Sequence, residues 1–216
     1  MADTEIVLAS SSPRRRELLA ELGIPFRIQT ASVLETQRPG EPPAQMAERL
    51  AREKAEAVAA QLRATGLTKP TFVVGADTVV VNGRTALGKP ANPAAAARVL
   101  RGLRGRSHRV ITGVAVVNAQ SGVAVEGAST TRVWIRNLSD QEIADYVDSG
   151  DPLDKAGAYA IQNRAFHPVE RILGCYSNVV GLPLCTLAEL LSKWNIVPRW
   201  TPTRQGLECE CARLAR

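Results

Sequence analysis

Aromatic residues are scarce in this chain, at 4% of the sequence, so any core must be assembled from Ala, Val, Leu and Ile within the 45% apolar total of an ordinary globular protein. The four cysteines, Cys175, Cys185, Cys209 and Cys211, are too few and too unevenly spaced for a disulfide framework. No pair of them has nearby histidines at zinc-site spacing. No apolar run reaches the length of a signal peptide or a bilayer span, and Asp3 and Glu5 stand among the first residues, so a soluble, cytoplasmic protein is expected, away from membranes. Also missing are a Gly-x-x-x-x-Gly-Lys-[Ser/Thr] loop, a Gly-x-Gly-x-x-Gly fingerprint, a serine nucleophile elbow and an evident Cys/His pair. Each absence removes an enzyme class. The net charge of +6, from 27 basic against 21 acidic residues, and the pI near 9.5 favour an anionic ligand. Without a long basic run or interleaved aromatics, that ligand is expected to be a small polyanion and not a nucleic acid.

What is present begins at Leu8-Ala9-Ser10-Ser11-Ser12-Pro13-Arg14-Arg15-Arg16. Ile6 to Ala9 read as a buried strand, Ser12 as an N-cap, and Pro13 as the first residue of a helix carrying Leu18, Leu19 and Leu22 and closed by Gly23. A helix start exposes N–H groups and a positive dipole end. Three arginines there are out of place unless something negative lies between them, which marks the turn as a phosphate cradle.

Phe26 to Thr30 is expected as a short strand, followed by a Pro- and Gly-rich loop containing Glu35, which could be a ligand but taken alone reads more readily as an exposed loop acid. A long helix is predicted from Ala44 to Thr65, with Met46, Leu50, Val58 and Leu62 in one apolar row and Lys54 in its gap. That lysine must either snorkel outward or meet an anion. Phe72 to Val81 reads as a central strand interrupted by Asp77, a carboxylate expensive to bury unless it is paired. Beside it, Gly75 and Ala76 leave room for a ligand or a bend. Asn82-Gly83 predicts a hairpin that folds Arg84 to Leu87 back and carries Gly88-Lys89-Pro90 towards the Asp77 end.

Asn92-Pro93 should start a helix running to about Leu103. A second hairpin is expected from His108–Val117 and Val123–Ile135, with His108 at a polar strand end. Ser139 and Glu142 form a capping box. Gly150 to Gln162 reads as a loop entering a strand, and Gln162 offers a paired donor and acceptor to an amide edge. Val169–Leu173 and Cys175–Val180 are expected as strands, before a last helix carrying Leu184, Leu187, Leu190, Leu191 and Trp194. His167 is expected at the surface, and residues 198–216 as a flexible tail outside a single domain of residues 1–197.

Ser10-Ser11-Ser12-Pro13-Arg14-Arg15, Gly75-Ala76-Asp77-Thr78, Gly88-Lys89-Pro90 and Asp154-Lys155-Ala156-Gly157-Ala158-Tyr159-Ala160-Ile161-Gln162 together resemble the Maf family of nucleoside triphosphate pyrophosphatases, in order and spacing, over residues 5–195. The resemblance implies an α/β fold with an elongated, mixed, twisted sheet flanked by helices, two lobes and a central cleft, as in inosine triphosphate pyrophosphatase-like proteins. It also implies a homodimer and a divalent metal cofactor, Mg or Mn. Ser10, Arg14, Lys54 and Lys89 would bind phosphates, Asp77 would accept the proton of attacking water, and Glu35 with Asp77 would face the metal. Arg15, Thr78 and Gln162 match the branch acting on dTTP and UTP. The branch acting on 7-methyl-GTP and a non-catalytic nucleotide-binding regulator of septum formation are the alternatives.

Overall fold

The structure, a computed structural model, describes residues 4–198, so the expected tail and the Cys209–Cys211 pair lie outside the described residues. In chain order the elements are β1 (Glu5–Leu8), α1 (Pro13–Glu21), β2 (Phe26–Ile28), α2 (Pro43–Thr65), β3 (Thr71–Asn82), β4 (Thr85–Leu87), α3 (Pro93–Leu103), β5 (Ser107–Asn118), β6 (Ala124–Ile135), α4 (Asp140–Asp148), β7 (Val169–Leu173), α5 (Tyr176–Val180) and α6 (Leu184–Ser192). Two 3₁₀ turns, Asp151–Asp154 and Ala156–Ala158, lie between α4 and β7.

Seven strands form one mixed sheet in the order β2-β1-β3-β5-β6-β7, with β4 paired to β3. β1 runs parallel to β2 and β3, and the remaining pairs are antiparallel. β3, β5 and β6 each have 12 residues, which makes the sheet roughly 40 Å long. Helices cover both faces, giving the elongated α/β fold expected from the sequence.

The strand period of two divides β3 cleanly. Val73, Val79 and Val81 pack towards α2 with Ala47, Ala51, Ala55 and Val58. Phe72, Val74 and Ala76 pack on the other face against Leu18 and Leu19 of α1 and Leu184 and Leu187 of α6, while Val80 joins Leu100 of α3 and Ile143 of α4.

The local signals worked where capping or turn chemistry is strong. Ser12 caps α1, Asn92 caps α3, and Ser139 with Glu142 completes a capping box on α4. Asn82-Gly83 turns the hairpin, with Val80 opposite Leu87.

Several expectations are corrected. Cys175–Val180 is not a strand: Tyr176–Val180 is a single helical turn, ended by Gly181 at φ 126°. Residues 150–162 contain the two 3₁₀ turns and do not enter a strand. His108 is not a polar strand end; it is buried in β5 with Nε2 2.7 Å from the Tyr159 hydroxyl, and burial lowers its pKa to about 4. Its lack of charge at neutral pH excludes a role as a buried cation. His167 is exposed, as expected.

The room at Gly75 is taken by α2 and not by a ligand. A Cβ on Gly75 would lie 2.1 Å from the carbonyl oxygen of Ala51, and one on Gly113, the β5 partner of Asp77, would lie 2.4 Å from that of Ala47. The two glycines let the backbone of α2 lie directly on the sheet.

Candidate active site

β1 ends beside Val74, and β4 rejoins β3 only at Val80. Between them, residues 75–79 of β3 pair with β5 on one side and with no strand on the other. A cleft of about 520 Å³ opens at this gap. Because the gap is at a strand edge, side chains from both faces of β3 reach it, and Asp77 and Thr78 line the same cleft from opposite faces. The parallel strand β1 delivers the Ser10–Ser12 turn and the start of α1 to the gap, the position where open α/β sheets bind phosphates.

On the α2 face, Asp77 is buried and its Oδ1 lies 2.6 Å from Lys54 Nζ. The same ammonium meets Glu35 Oε1 at 2.5 Å. The lysine in the gap of the apolar row of α2 therefore turns to two carboxylates, since the contacts at Gly75 and Gly113 bring its helix close enough to reach them. Burial raises the pKa of Asp77, and the opposing pull of Lys54 and Arg15 does not cancel that effect. Burial also opposes ionisation of Glu35, but the hydrogen bond and charge of Lys54, with Lys89 and Arg15 behind it, hold its carboxyl below the usual range. Two neighbouring carboxyls are thus shifted in opposite directions, Asp77 up and Glu35 down, a perturbation of the kind found at functional sites.

On the opposite face, Arg15 reaches inward. Its Nη2 donates to Thr78 Oγ1 at 3.1 Å, its Nη1 to Ser10 Oγ at 3.3 Å, and its Nε to the Gly181 carbonyl at 2.9 Å. Its pKa is lowered by burial, against the favourable fields of Asp77 and Glu35. Arg14 points the other way, towards Asp154 Oδ2 at 3.7 Å. Ser10 is buried, and its Oγ also accepts from Ser12 N at 3.3 Å. Lys89 is exposed and lines the cleft, and no hydrogen bond or ion pair joins it to another described residue. Gly157 N donates to Gly88 O at 3.3 Å, tying the Lys89 turn to the second 3₁₀ turn. Gln162 lines the same cleft. Ser10, Arg14, Arg15, Glu35, Lys54, Asp77, Thr78, Lys89 and Gln162 therefore all line one cleft, whereas Arg16, the third arginine of the cluster, does not.

Lys155, in a stretch the sequence reading quoted without giving it a role, also lines the cleft. It is buried, and its Nζ donates to Asp151 O at 2.6 Å, Asp151 Oδ1 at 3.0 Å and Asp154 Oδ1 at 2.5 Å. It fixes the acid that faces Arg14. The Asp-x-x-Asp-Lys spacing was the available signal. It was read as loop polarity because the i,i+4 contact of Lys155 with Asp151 depends on a 3₁₀ turn that the sequence did not announce.

No group of three or more His, Cys, Asp or Glu side chains that could hold a metal occurs among the described residues. The convergence of Glu35 and Asp77 on one cationic nitrogen does supply two hard oxygen donors. That set fits Mg²⁺ or Mn²⁺, which take one or two carboxylates and complete their shell with water and substrate phosphate.

Known proteins resemble this chain over most of its length. The "dTTP/UTP pyrophosphatase" of Pelotomaculum thermopropionicum is 53% identical over 192 residues, covering 88% of this chain and 97% of the relative. The protein of the same name from Geobacter sulfurreducens is 49% identical over 193 residues, covering 89% and 98%. Among solved structures, the Ham1 protein of Staphylococcus aureus shares 18% identity at a TM-score of 0.42, over 76% of this chain and 90% of that one. The family model described as "Maf-like protein" matches residues 5–194, nearly the whole described chain, and the protein belongs to that family.

Proposed function

We propose that the protein is a nucleoside triphosphate pyrophosphatase that hydrolyses dTTP and UTP to the monophosphate and pyrophosphate. The observation that carries this reading is the buried Asp77 carboxylate, held by Lys54 in the sheet gap beside a serine and arginine helix start. The names of the relatives support the choice of nucleotide.

In this reading Ser10, Arg14 and the amides at the start of α1 hold the phosphates. Asp77 accepts a proton from water as its oxygen bonds to the α-phosphorus. The bond to the bridging oxygen then breaks, and pyrophosphate departs with the electron pair. Lys54 and Lys89 stabilise the growing charge, each supplying on the order of 2–4 kcal/mol. Glu35 and Asp77 would hold a divalent cation, whose chemistry when bound is to polarise the phosphate oxygens. Arg15, Thr78 and Gln162 face the base. A homodimer in the cytoplasm belongs to the same proposal and rests on the family resemblance.

The test is pyrophosphate release from a panel of common and modified nucleoside triphosphates with Mg²⁺ or Mn²⁺. UTP and dTTP should be the best substrates, EDTA should stop release, and Asp77→Asn should remove it. A preference for 7-methyl-GTP, or binding without turnover, would overturn the assignment.

A further inference from the structure

A run of hydrogen bonds behind the cleft fixes the direction in which one hydroxyl can point. Arg15 carries only donors, so Thr78 Oγ1 accepts from it at 3.1 Å. Behind Thr78, its Oγ1 lies 3.0 Å from Thr112 Oγ1, a contact that by geometry alone admits either hydroxyl as donor. The next link removes that choice. Thr112 Oγ1 lies 3.1 Å from the carbonyl oxygen of Asn178, which can only accept. Thr112 and Asn178 are fully buried, and the amides of Gly181 and Leu182 both go to Ser177 O, so Thr112 is what satisfies the Asn178 carbonyl among the described residues. A threonine has one hydroxyl proton. With that proton given to Asn178, Thr112 can only accept from Thr78.

The carbonyl is itself held in place. Asn178 Nδ2 donates to Val110 O at 3.0 Å and to Thr131 Oγ1 at 2.8 Å. Thr131 in turn donates to Cys175 O at 3.1 Å and accepts from Cys175 N at 2.9 Å. The N-cap and the middle of α5 are thereby pinned to β5 and β6.

We propose that Thr112, directed by the Asn178 carbonyl, sets the hydrogen-bond polarity of Thr78, so that Thr78 shows a bound base an acceptor and never a donor. This deepens the pyrimidine nucleotide reading, on which it rests for the choice of ligand. A base edge meeting Thr78 must bring an N–H. The imide N3–H of uracil or thymine does so. The N3 lone pair of cytosine faces another lone pair and leaves both groups unsatisfied. Thr112 is a positioning residue, since it acts on the ligand only through Thr78.

Calorimetric binding of UMP and CMP to the full-length wild type, Thr112→Val and Thr112→Ser tests this, with pyrophosphate release from UTP measured in parallel. Wild type and Thr112→Ser should prefer UMP by about tenfold, the scale of one hydrogen bond made or left unmade in a dry site. In Thr112→Val the Thr78 proton is free to turn into the cleft, and the preference should fall to within about twofold. In a Thr78→Val background the Thr112→Val change should no longer move it. If Thr112→Val does not fold, Thr112→Ala removes the same acceptor. A wild type without preference, or a Thr112→Val protein that keeps the wild-type preference, would overturn the inference while leaving pyrophosphatase activity intact. Absence of pyrophosphate release alongside a shifted preference would instead sink the enzymatic reading alone.

Discussion

Arg49 grips Glu41 with two prongs, Nε to Oε1 at 2.6 Å and Nη2 to Oε2 at 2.7 Å. The same guanidinium donates to the Thr36 carbonyl at 3.0 Å and to Glu53 at 3.0 Å. It fastens the loop between β2 and α2 to the helix that carries Lys54, and Glu35 lies in that loop. Such a bidentate, half-buried pair is far stronger than a solitary surface ion pair. Arg49→Met should release the loop and lower kcat/KM by about tenfold to a hundredfold, the cost of misplacing one group near the reacting atoms. Hydrogen exchange should rise in residues 30–41. In a Glu35→Gln background the Arg49→Met change should cost little more, and full additivity of the two losses would refute the link.

Asp77 predicts a pH dependence with a definite sign. Its pKa is raised by burial, and Lys54 opposes that rise. A proton acceptor must be ionised, so the rate should climb as pH passes the raised pKa. Lys54→Met removes the opposing charge, so the acidic limb of the rate profile should move to higher pH. An acidic limb that stays put or moves down would contradict the pairing.

The same shift bears on stability. A carboxyl whose folded pKa exceeds its unfolded value destabilises the fold above both values and has no effect below both. Asp77→Asn should therefore melt higher than wild type at pH 8, with the difference vanishing by about pH 4, the ordinary carboxylate range. Thermal melts across that interval decide the matter.

Gly113→Ala should act on structure. The added Cβ would lie 2.4 Å from the Ala47 carbonyl oxygen, so α2 must lift away from the sheet. Overpacking of this kind costs about 1–3 kcal/mol. At 216 residues that corresponds to a fall in Tm of roughly 2–12 °C. An unchanged Tm would show that the helix yields without cost.

Lys89 is exposed in the free protein, with no ion pair or hydrogen bond to another described residue. Lys89→Ala should leave Tm unchanged while lowering kcat/KM for UTP by about thirtyfold to nearly a thousandfold, the equivalent of the ~2–4 kcal/mol assigned to it. A loss of stability without loss of activity would reverse its role.

The sequence made the site more readable than the path between its parts. Ser12, Asn82-Gly83 and the Ser139–Glu142 box are local devices whose chemistry does not depend on distant residues, and each sits where it was expected. Asp77 and Lys54 stood out because a charge in an apolar row needs a partner. The Cys175–Val180 turn misled for the opposite reason. Its Val179-Val180 pair favours a strand, but Asn178 is fully buried between Val110 and Thr131, and those tertiary bonds outweigh local propensity. The alanine row Ala47, Ala51, Ala55 also carried no visible signal, because its meaning lies in Gly75 and Gly113 on other elements. His108 reads as a polar strand end for want of Tyr159, 51 residues away.

Asp77 and Thr78 are consecutive residues, yet the gap in the sheet lets them serve one cleft from opposite sides. In the proposed function, water activation belongs to the odd side of β3 with α2, and base choice to the even side with α1 and α5. Two traits held by adjacent codons are thus mechanically insulated from each other by a layer of backbone. In that reading a duplicated copy of this gene can drift towards a new nucleotide through Thr78 and Thr112 while its hydrolytic half is inherited whole, whereas a change at Arg15, whose charge reaches Asp77 and Glu35, would alter both halves.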